Sequence, residues 1–339
     1  MKILTVFTGG TIGSKIENNI IDVKTKNEFA LLDLFLNNYK DYNNINFECV
    51  EPVNFLSENI TYNQINKIVS YLKSIDFNNY DGIIITHGSD TLSYSSAILG
   101  LVFSTVKIPI VIVASNYPPQ CKESNALTNI KNAIDFIKNT DINGVFVSYS
   151  NDNNAIYLAT RISEAEPYKD EFSPFSKSYF GTMNNGEFIY NKCYDNPSLE
   201  DVKLNVGYNL KENLNFKNKV MLIKTYPYID YNAFNIENSK AILLYLYHSG
   251  TACVVGDSSN SVIAFIDRCK RLNIPVYGAS LKNCENQYAT TSKMIKSGMI
   301  PLQNISIESA YSKLCIAYNQ IEIPPIDYMK KNIFFEIVQ

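Results

Sequence analysis

Lys2-Ile-Leu-Thr-Val-Phe-Thr8-Gly9-Gly10-Thr11-Ile12-Gly13 opens the chain, and Ile83-Ile-Ile-Thr86-His87-Gly88-Ser89-Asp90-Thr91-Leu92 follows some seventy residues later. Each is an apolar strand running into a glycine turn that presents hydroxyls, and the second turn adds a carboxylate. Two such turns at the ends of neighbouring parallel strands face one crevice, the place where open α/β sheets bind ligands. A threonine on a glycine turn is a candidate nucleophile there, and a Ser-Asp pair its candidate partner.

Outward from these turns, short apolar runs alternate with helix-length amphipathic segments, the pattern of parallel βαβ units. Runs 2–8, 45–51, 82–86, 109–113 and 144–148 read as strands. Segments 27–38, 62–75, 91–103 and 124–138 carry apolar residues at helical spacing. Thr61 and Asn63 are candidate caps for the second helix, and Ser124 or Asn125 for the fourth. Runs 155–162 and 186–193 read as a hairpin-like extension. The expected fold class is α/β: a larger N-terminal domain, 1–195, with a doubly wound and mostly parallel sheet carrying both motifs. Polar residues 196–217 read as a linker, and 218–339 as a smaller C-terminal α/β domain. Its strands begin near Val220, Ala241 and Ile274, and its helices cover 259–271, 291–298 and 307–317. The tail from Ile321 reads as irregular, broken by Pro324 and Pro325.

Composition narrows the class. At 339 residues, 46% hydrophobic and 19% charged, the chain is that of a soluble globular protein. A formal charge of −3 carries no polyanion signature, so neither nucleic acid nor membrane is an expected partner. No apolar run approaches the ~20 residues of a spanning helix. The first apolar stretch leads into Gly9-Gly10 and reads as a core strand, not a signal peptide. Seven scattered cysteines show no C-x-x-C spacing, and most read as buried spacers of a reducing cytoplasm. With two histidines, no metal site and no cofactor are expected.

Each candidate residue also has a plainer reading. Gly9-Gly10-Thr11 can be a tight strand-to-helix turn and no more; it lacks the G-x-G-x-x-G register of dinucleotide sites. Asp90 can bind a substrate ammonium and Ser89 can relay a proton; either can also cap the helix beginning near Thr91, a role compatible with the first. Ser57-Glu58-Asn59 follows the strand at 45–51 on the same sheet edge and can bind a carboxylate, or be an ordinary loop. His87 reads as structural, its ring bonded to backbone, and His248 as a turn residue.

Thr8-Gly-Gly-Thr11-Ile and Thr86-His-Gly-Ser89-Asp90-Thr91 resemble the two signature motifs of the bacterial-type L-asparaginases, the asparaginase/glutaminase family. Leu92-Ser-Tyr94-Ser-Ser-Ala is similar to the continuation in the cytoplasmic type I branch. Arg161-Ile-Ser-Glu164 falls at the family's Arg-Val-Thr-Lys segment, and Ile307-Glu-Ser-Ala-Tyr-Ser-Lys313-Leu at its terminal helix. The resemblance implies an amidohydrolase that releases ammonia from L-asparagine or a related small amide through a threonine acyl-enzyme. Thr11 is then the nucleophile, Ser89 (threonine in the family) activates the attacking group, Asp90 binds the α-ammonium and Ser57 the α-carboxylate. Gly10, Ser57, Glu58, Gly88 and Ser115 line the substrate, with N–H groups near Ser89 at the oxyanion. The resemblance also implies a homodimer or homotetramer acting on a small-molecule amide.

Three departures qualify it. Glu164 stands where the family has its catalytic lysine; residues 14–28 lack the mobile-loop tyrosine; and Ala114-Ser-Asn116-Tyr117-Pro118 replaces Gly-Ala-Met-Arg-Pro. A carboxylate beside Asp90 and Glu58 repels a substrate α-carboxylate by on the order of several kcal/mol at ~4 Å in a partly buried site. Glu164 is therefore either a general base in the lysine's stead, or Lys122 or Lys169 reaches the site, or the substrate lacks a free α-carboxylate or carries an added cation. Tyr117 is a candidate replacement for the loop tyrosine. The alternative function is a binding or regulatory protein that kept the fold and lost turnover.

Overall fold

The computed structural model describes residues 1–17, 20–22, 30–175, 177–210, 214–255, 259–283 and 285–339. They form two compact units: Met1–Asn213 with Ile333–Phe335, and Leu214–Asn332 with Glu336–Gln339.

The first unit begins with β1 (Lys2–Val6), a small antiparallel pair β2 (Lys15–Glu17) and β3 (Ile20–Asp22), α1 (Ala30–Asn38) and β4 (Asn46–Val50). Next come α2 (Tyr62–Ser74), β5 (Gly82–Thr86), α3 (Leu92–Val102), β6 (Pro109–Val113), α4 (Ala126–Asn139) and β7 (Gly144–Ser148). β8 (Ala155–Leu158), β9 (Ile162–Glu166), β10 (Glu171–Pro174), β11 (Gly181–Asn184), β12 (Glu187–Tyr190) and α5 (Leu199–Leu204) complete it. The main sheet has the order β12-β11-β8-β7-β6-β5-β1-β4. Its strands β4, β1, β5, β6 and β7 are parallel, and β8, β11 and β12 antiparallel. β5 and β6 are buried at every position, as parallel strands covered on both faces must be. α2 buries Ile65, Ile68, Val69 and Leu72 along one face, and starts at a capping box of Thr61 with Gln64. Thr61 is thus the cap, and Asn63 only its donor.

β1 pairs with β4 on one side and β5 on the other, and the chain then proceeds outward through β6 and β7. The strand order reverses at β1. A ligand crevice lies outside the carboxyl ends of the strands at such a point.

The second unit holds a parallel sheet of β13 (Lys219–Lys224), β14 (Ser239–Tyr245), β15 (Val276–Leu281) and β16 (Ile300–Gln303). Its helices are α6 (Val262–Arg271), α7 (Ala289–Ser297), α8 (Ile307–Ala317) and α9 (Pro325–Lys330). Ile242, Leu244, Val262, Phe265, Val276 and Met294 pack in its core. On α8, Lys313 is fully buried and its ammonium meets the buried Glu336 carboxylate at 2.6 Å. No described helix is long and apolar enough to cross a membrane.

Several expectations need correction. The 196–217 linker contains α5, capped by Ser198 and buried at Val202, and most of it belongs to the first unit; residues 211–213 lie outside the described residues. Runs 155–162 and 186–193 do not pair with each other, because β11 lies between β8 and β12. β9 and β10 form a separate antiparallel hairpin, and β16 and α9 were not expected. Residues 27–29 of the first expected helix lie outside the described residues, as do 18–19 and 23–28 of the loop that lacks the family's tyrosine. Among the six described cysteines only Cys269 and Cys315 are buried, and Cys253 is exposed, so most are not core spacers.

Candidate active site

The two motif turns are joined at the strand ends. Thr8 Oγ1 donates to the Thr86 carbonyl at 2.6 Å, and Thr8 N–H approaches Thr86 Oγ1 at 3.3 Å. A third loop enters from β4: Phe55 N–H donates to Thr8 O at 3.1 Å, and Gly10 N–H to Phe55 O at 3.0 Å. Gly10 has φ of 77°, in the region that favours glycine. A Cβ there would lie 2.5 Å from Gly88 Cα and 2.7 Å from His87 C, so the first turn rests directly on the backbone of the second. A Cβ on Gly88 would lie 2.6 Å from Ser57 Cβ. Gly10, Gly88 and Ser57 are therefore stacked backbone to backbone to side chain, and all three loops leave the carboxyl edge of the sheet.

Around this stack the functional groups are ordered by exposure. Thr11 opens a single 3-10 turn, Thr11–Gly13, and is half-buried, like Ser89. Neither hydroxyl is engaged by another side chain among the described residues. Ser57 is buried, and its Oγ donates to the exposed Asp90 carboxylate at 3.3 Å. Thr91 Oγ1 fixes the same loop by donating to Ser57 O at 3.1 Å. Neither Ser89 nor Asp90 caps α3; Thr91 occupies that position and makes no side-chain cap bond. The capping role is thereby removed. Glu58 is exposed beside Ser57.

His87 is wholly buried, with Nδ1 2.8 Å from Gly88 O and its ring edge-on to Phe55. Burial pushes its imidazole below the ordinary pKa, against the opposing pull of the Gly88 carbonyl. The neutral ring donates from Nδ1, which makes His87 a brace of the second turn, as its sequence context suggested.

The remaining candidates lie on other elements. Glu164 is an exposed residue of β9, a strand that runs beside the Ser89–Thr91 turn. Arg161 is buried, its guanidinium donating to the carbonyls of Phe335 and Asp195, so it anchors the chain before β9. Ser115 is buried at the end of β6, the neighbour of β5, with its Oγ donating to Tyr117 O at 2.8 Å. Its side chain is turned into its own loop, leaving the main chain as what it can offer a ligand. Lys169 pairs with Glu166 at 2.8 Å on the β9–β10 hairpin, both exposed; Lys122 is also exposed. Neither lysine contacts the turn stack in the described contacts. Tyr117 is 45% exposed, enough to present its ring outside the loop.

Sequence reasoning overlooked Thr86 as the tie between strands, and the asparagines Asn116, Asn125 and Asn151, which bond one another. In so asparagine-rich a chain these carry no spacing signal.

A parallel α/β sheet whose switch point is filled by hydroxyl-bearing turns defines a class with chemistry at the carboxyl strand edge. Residues 2–194 match the family model described as Asparaginase, N-terminal. The chain belongs to the asparaginase family, as its two motifs indicated. It is 26% identical over 331 residues to a glutamyl-tRNA(Gln) amidotransferase component from Methanosphaera stadtmanae, covering 93% of this chain and 71% of that one. An 88-residue stretch is 36% identical to an L-asparaginase of Thermococcus kodakarensis, covering 26% of each chain. The fold is that of the thermostable L-asparaginase from Thermococcus kodakarensis, with TM-score 0.81, 23% identity and full coverage of both chains. L-asparaginase I from Vibrio cholerae shares it at TM-score 0.72 and 20% identity, covering 100% of this chain and 99% of that one.

Proposed function

We propose that the protein is an amidohydrolase releasing ammonia from L-asparagine or a related small amide. The observation that supports this reading is the seating of Gly10 on Gly88, which sets the Thr11 and Ser89 turns side by side at the sheet's switch point. Thr11 Oγ1 attacks the carboxamide carbon, its proton relayed through Ser89 to the base and from there to the amide nitrogen, so that the tetrahedral intermediate expels ammonia and leaves an ester. Water then cleaves the ester and returns the threonine. Glu164, on the strand beside Ser89, is the base in place of the family's lysine. N–H groups opening the Ser89–Thr91 turn supply the oxyanion donors.

One distance supports an α-amino-acid head group. Ammonium and carboxylate on a single α-carbon need neighbouring receptors, and Asp90 and Ser57 are 3.3 Å apart. Gly10, Glu58, Gly88 and the Ser115 main chain complete the lining. The enzyme is cytoplasmic and a homodimer or homotetramer in this reading. A relative named as part of an amidotransferase supports amide cleavage in general rather than asparagine in particular.

A second reading is favoured by Glu164 itself: a carboxylate where the family keeps a lysine suits a binding protein that lost turnover. Ammonia release from asparagine, glutamine and α-blocked analogues separates the two. Release from at least one of them is expected. Folded protein that binds aspartate by calorimetry yet releases none supports the second reading.

A further inference from the structure

Three asparagines away from the turn stack meet at one point. Asn116 and Asn125 grip each other across the loop after β6: Asn116 N–H donates to Asn125 Oδ1, and Asn125 N–H to Asn116 Oδ1, both at 3.0 Å. Asn116 Oδ1 also accepts Tyr117 N–H at 2.8 Å. Both side-chain amides then donate to Asn151 Oδ1, at 3.1 and 2.8 Å. On its other side, Asn151 Nδ2 donates to the carbonyls of Lys169 and Asp170, each at 3.1 Å. Two donors at Oδ1 and two acceptors at Nδ2 fill every hydrogen-bonding place of a primary amide.

The two partners of Asn151 are elements that bear candidate chemistry. The loop after β6 holds Ser115, and the carbonyls of Lys169 and Asp170 sit at the turn joining β10 to β9, which carries Glu164. The hairpin is attached without Asn151, because Tyr149 OH also donates to Asp170 O at 2.7 Å and Tyr157 OH to Phe172 O at 3.0 Å. Asn151 ties that hairpin to the Ser115 loop through both Asn116 and Asn125, alongside Tyr149, which meets Asn125 as well as Asp170. Backbone N–H of Asn151 donating to Glu171 Oε2 at 2.8 Å holds the tie in place.

We infer that Asn151 is a positioning residue that couples the Ser115 loop to the Glu164 strand and so fixes the spacing across the proposed site. Its effect on turnover rests on the amidohydrolase reading; the coupling does not. Asn151→Asp is the discriminating variant, since it keeps the acceptor and replaces both donations with oxygen facing oxygen. Asn153→Asp, in the same loop but outside the network, is the charge control.

Amide hydrogen exchange in Asn151→Asp is expected to quicken at least about tenfold in both 116–125 and 169–171, with β1 and β5 unchanged. The kcat/KM for the amide the parent hydrolyses is expected to fall about tenfold or more, as misplacement of positioned groups does. Asn153→Asp leaves both unchanged. Faster exchange on one side alone, or a parental kcat/KM, overturns the inference. Should Asn151→Asp not fold, Asn116→Asp reads the same coupling: exchange at 169–171 quickens if it exists and stays parental if it does not. A parent that releases no ammonia removes the amidohydrolase reading, and exchange alone then decides the coupling.

Discussion

The turn stack around Gly10 and the hairpin of β9 and β10 both bear candidate chemistry, but they are held by opposite means. In the stack, the contacts are made at the backbone: Gly10 rests on the Gly88 backbone and Gly88 against the Ser57 side chain, with no room for a methyl group. The hairpin is held by side chains reaching its carbonyls, from Asn151, Tyr149 and Tyr157. Backbone packing leaves glycine as the sole acceptable residue and so writes itself into the sequence. Side-chain tethering tolerates change on the tethered hairpin, and Glu164, the largest departure from the family pattern, sits on its other strand, β9.

Two glycines of the first motif sharpen this comparison most. Gly10→Ala forces a Cβ against Gly88 at positive φ and is expected to destabilise the protein by on the order of 3 kcal/mol or more. Gly13→Ala meets nothing within 4 Å and should stay within about 0.5 kcal/mol of the parent. Denaturant midpoints measure both, and equal losses would break the distinction.

On the hairpin the expectation reverses, toward activity rather than stability. On the proposed mechanism Glu164→Gln removes the base, so kcat should fall about a hundredfold while the unfolding midpoint of this exposed position holds. A parental kcat would return Glu164 to the solvated surface.

A smaller effect comes from His87 beneath the stack. Its folded pKa lies below the unfolded value of about 6.5, so the unfolded chain takes up the proton first as pH falls. Stability should therefore decline below about pH 6.5, by up to about 1.4 kcal/mol per unit, until the buried ring itself protonates. Unfolding midpoints compared between about pH 7.5 and 5.5 test this, and a flat profile contradicts it.

Much of the first unit was legible because its signals are local. Ile83-Ile-Ile running into a glycine turn reads as an apolar strand, and it is one, buried at every position. The candidate site was legible where glycine or a hydroxyl sits on a turn, at Gly10, Ser57 and Gly88. The antiparallel half was lost through brevity: Gly181-Thr-Met-Asn is too short to show alternation. Asn185-Gly186, both at positive φ, is the hairpin turn that could have located it. The linker was misread because α5 buries little beyond Val202 and so looks polar throughout. Asn116, Asn125 and Asn151 stayed hidden because their partners are set by tertiary placement, which no spacing records.

Ammonia release by Thr11→Val, set beside the parent on the same amide, tests the central claim most directly. On the proposed mechanism the attacking hydroxyl is gone while the turn geometry remains, so release should fall at least about a thousandfold with folding intact. A variant that releases ammonia at the parental rate would contradict the account, because the two stacked turns would then bind the amide without supplying its nucleophile.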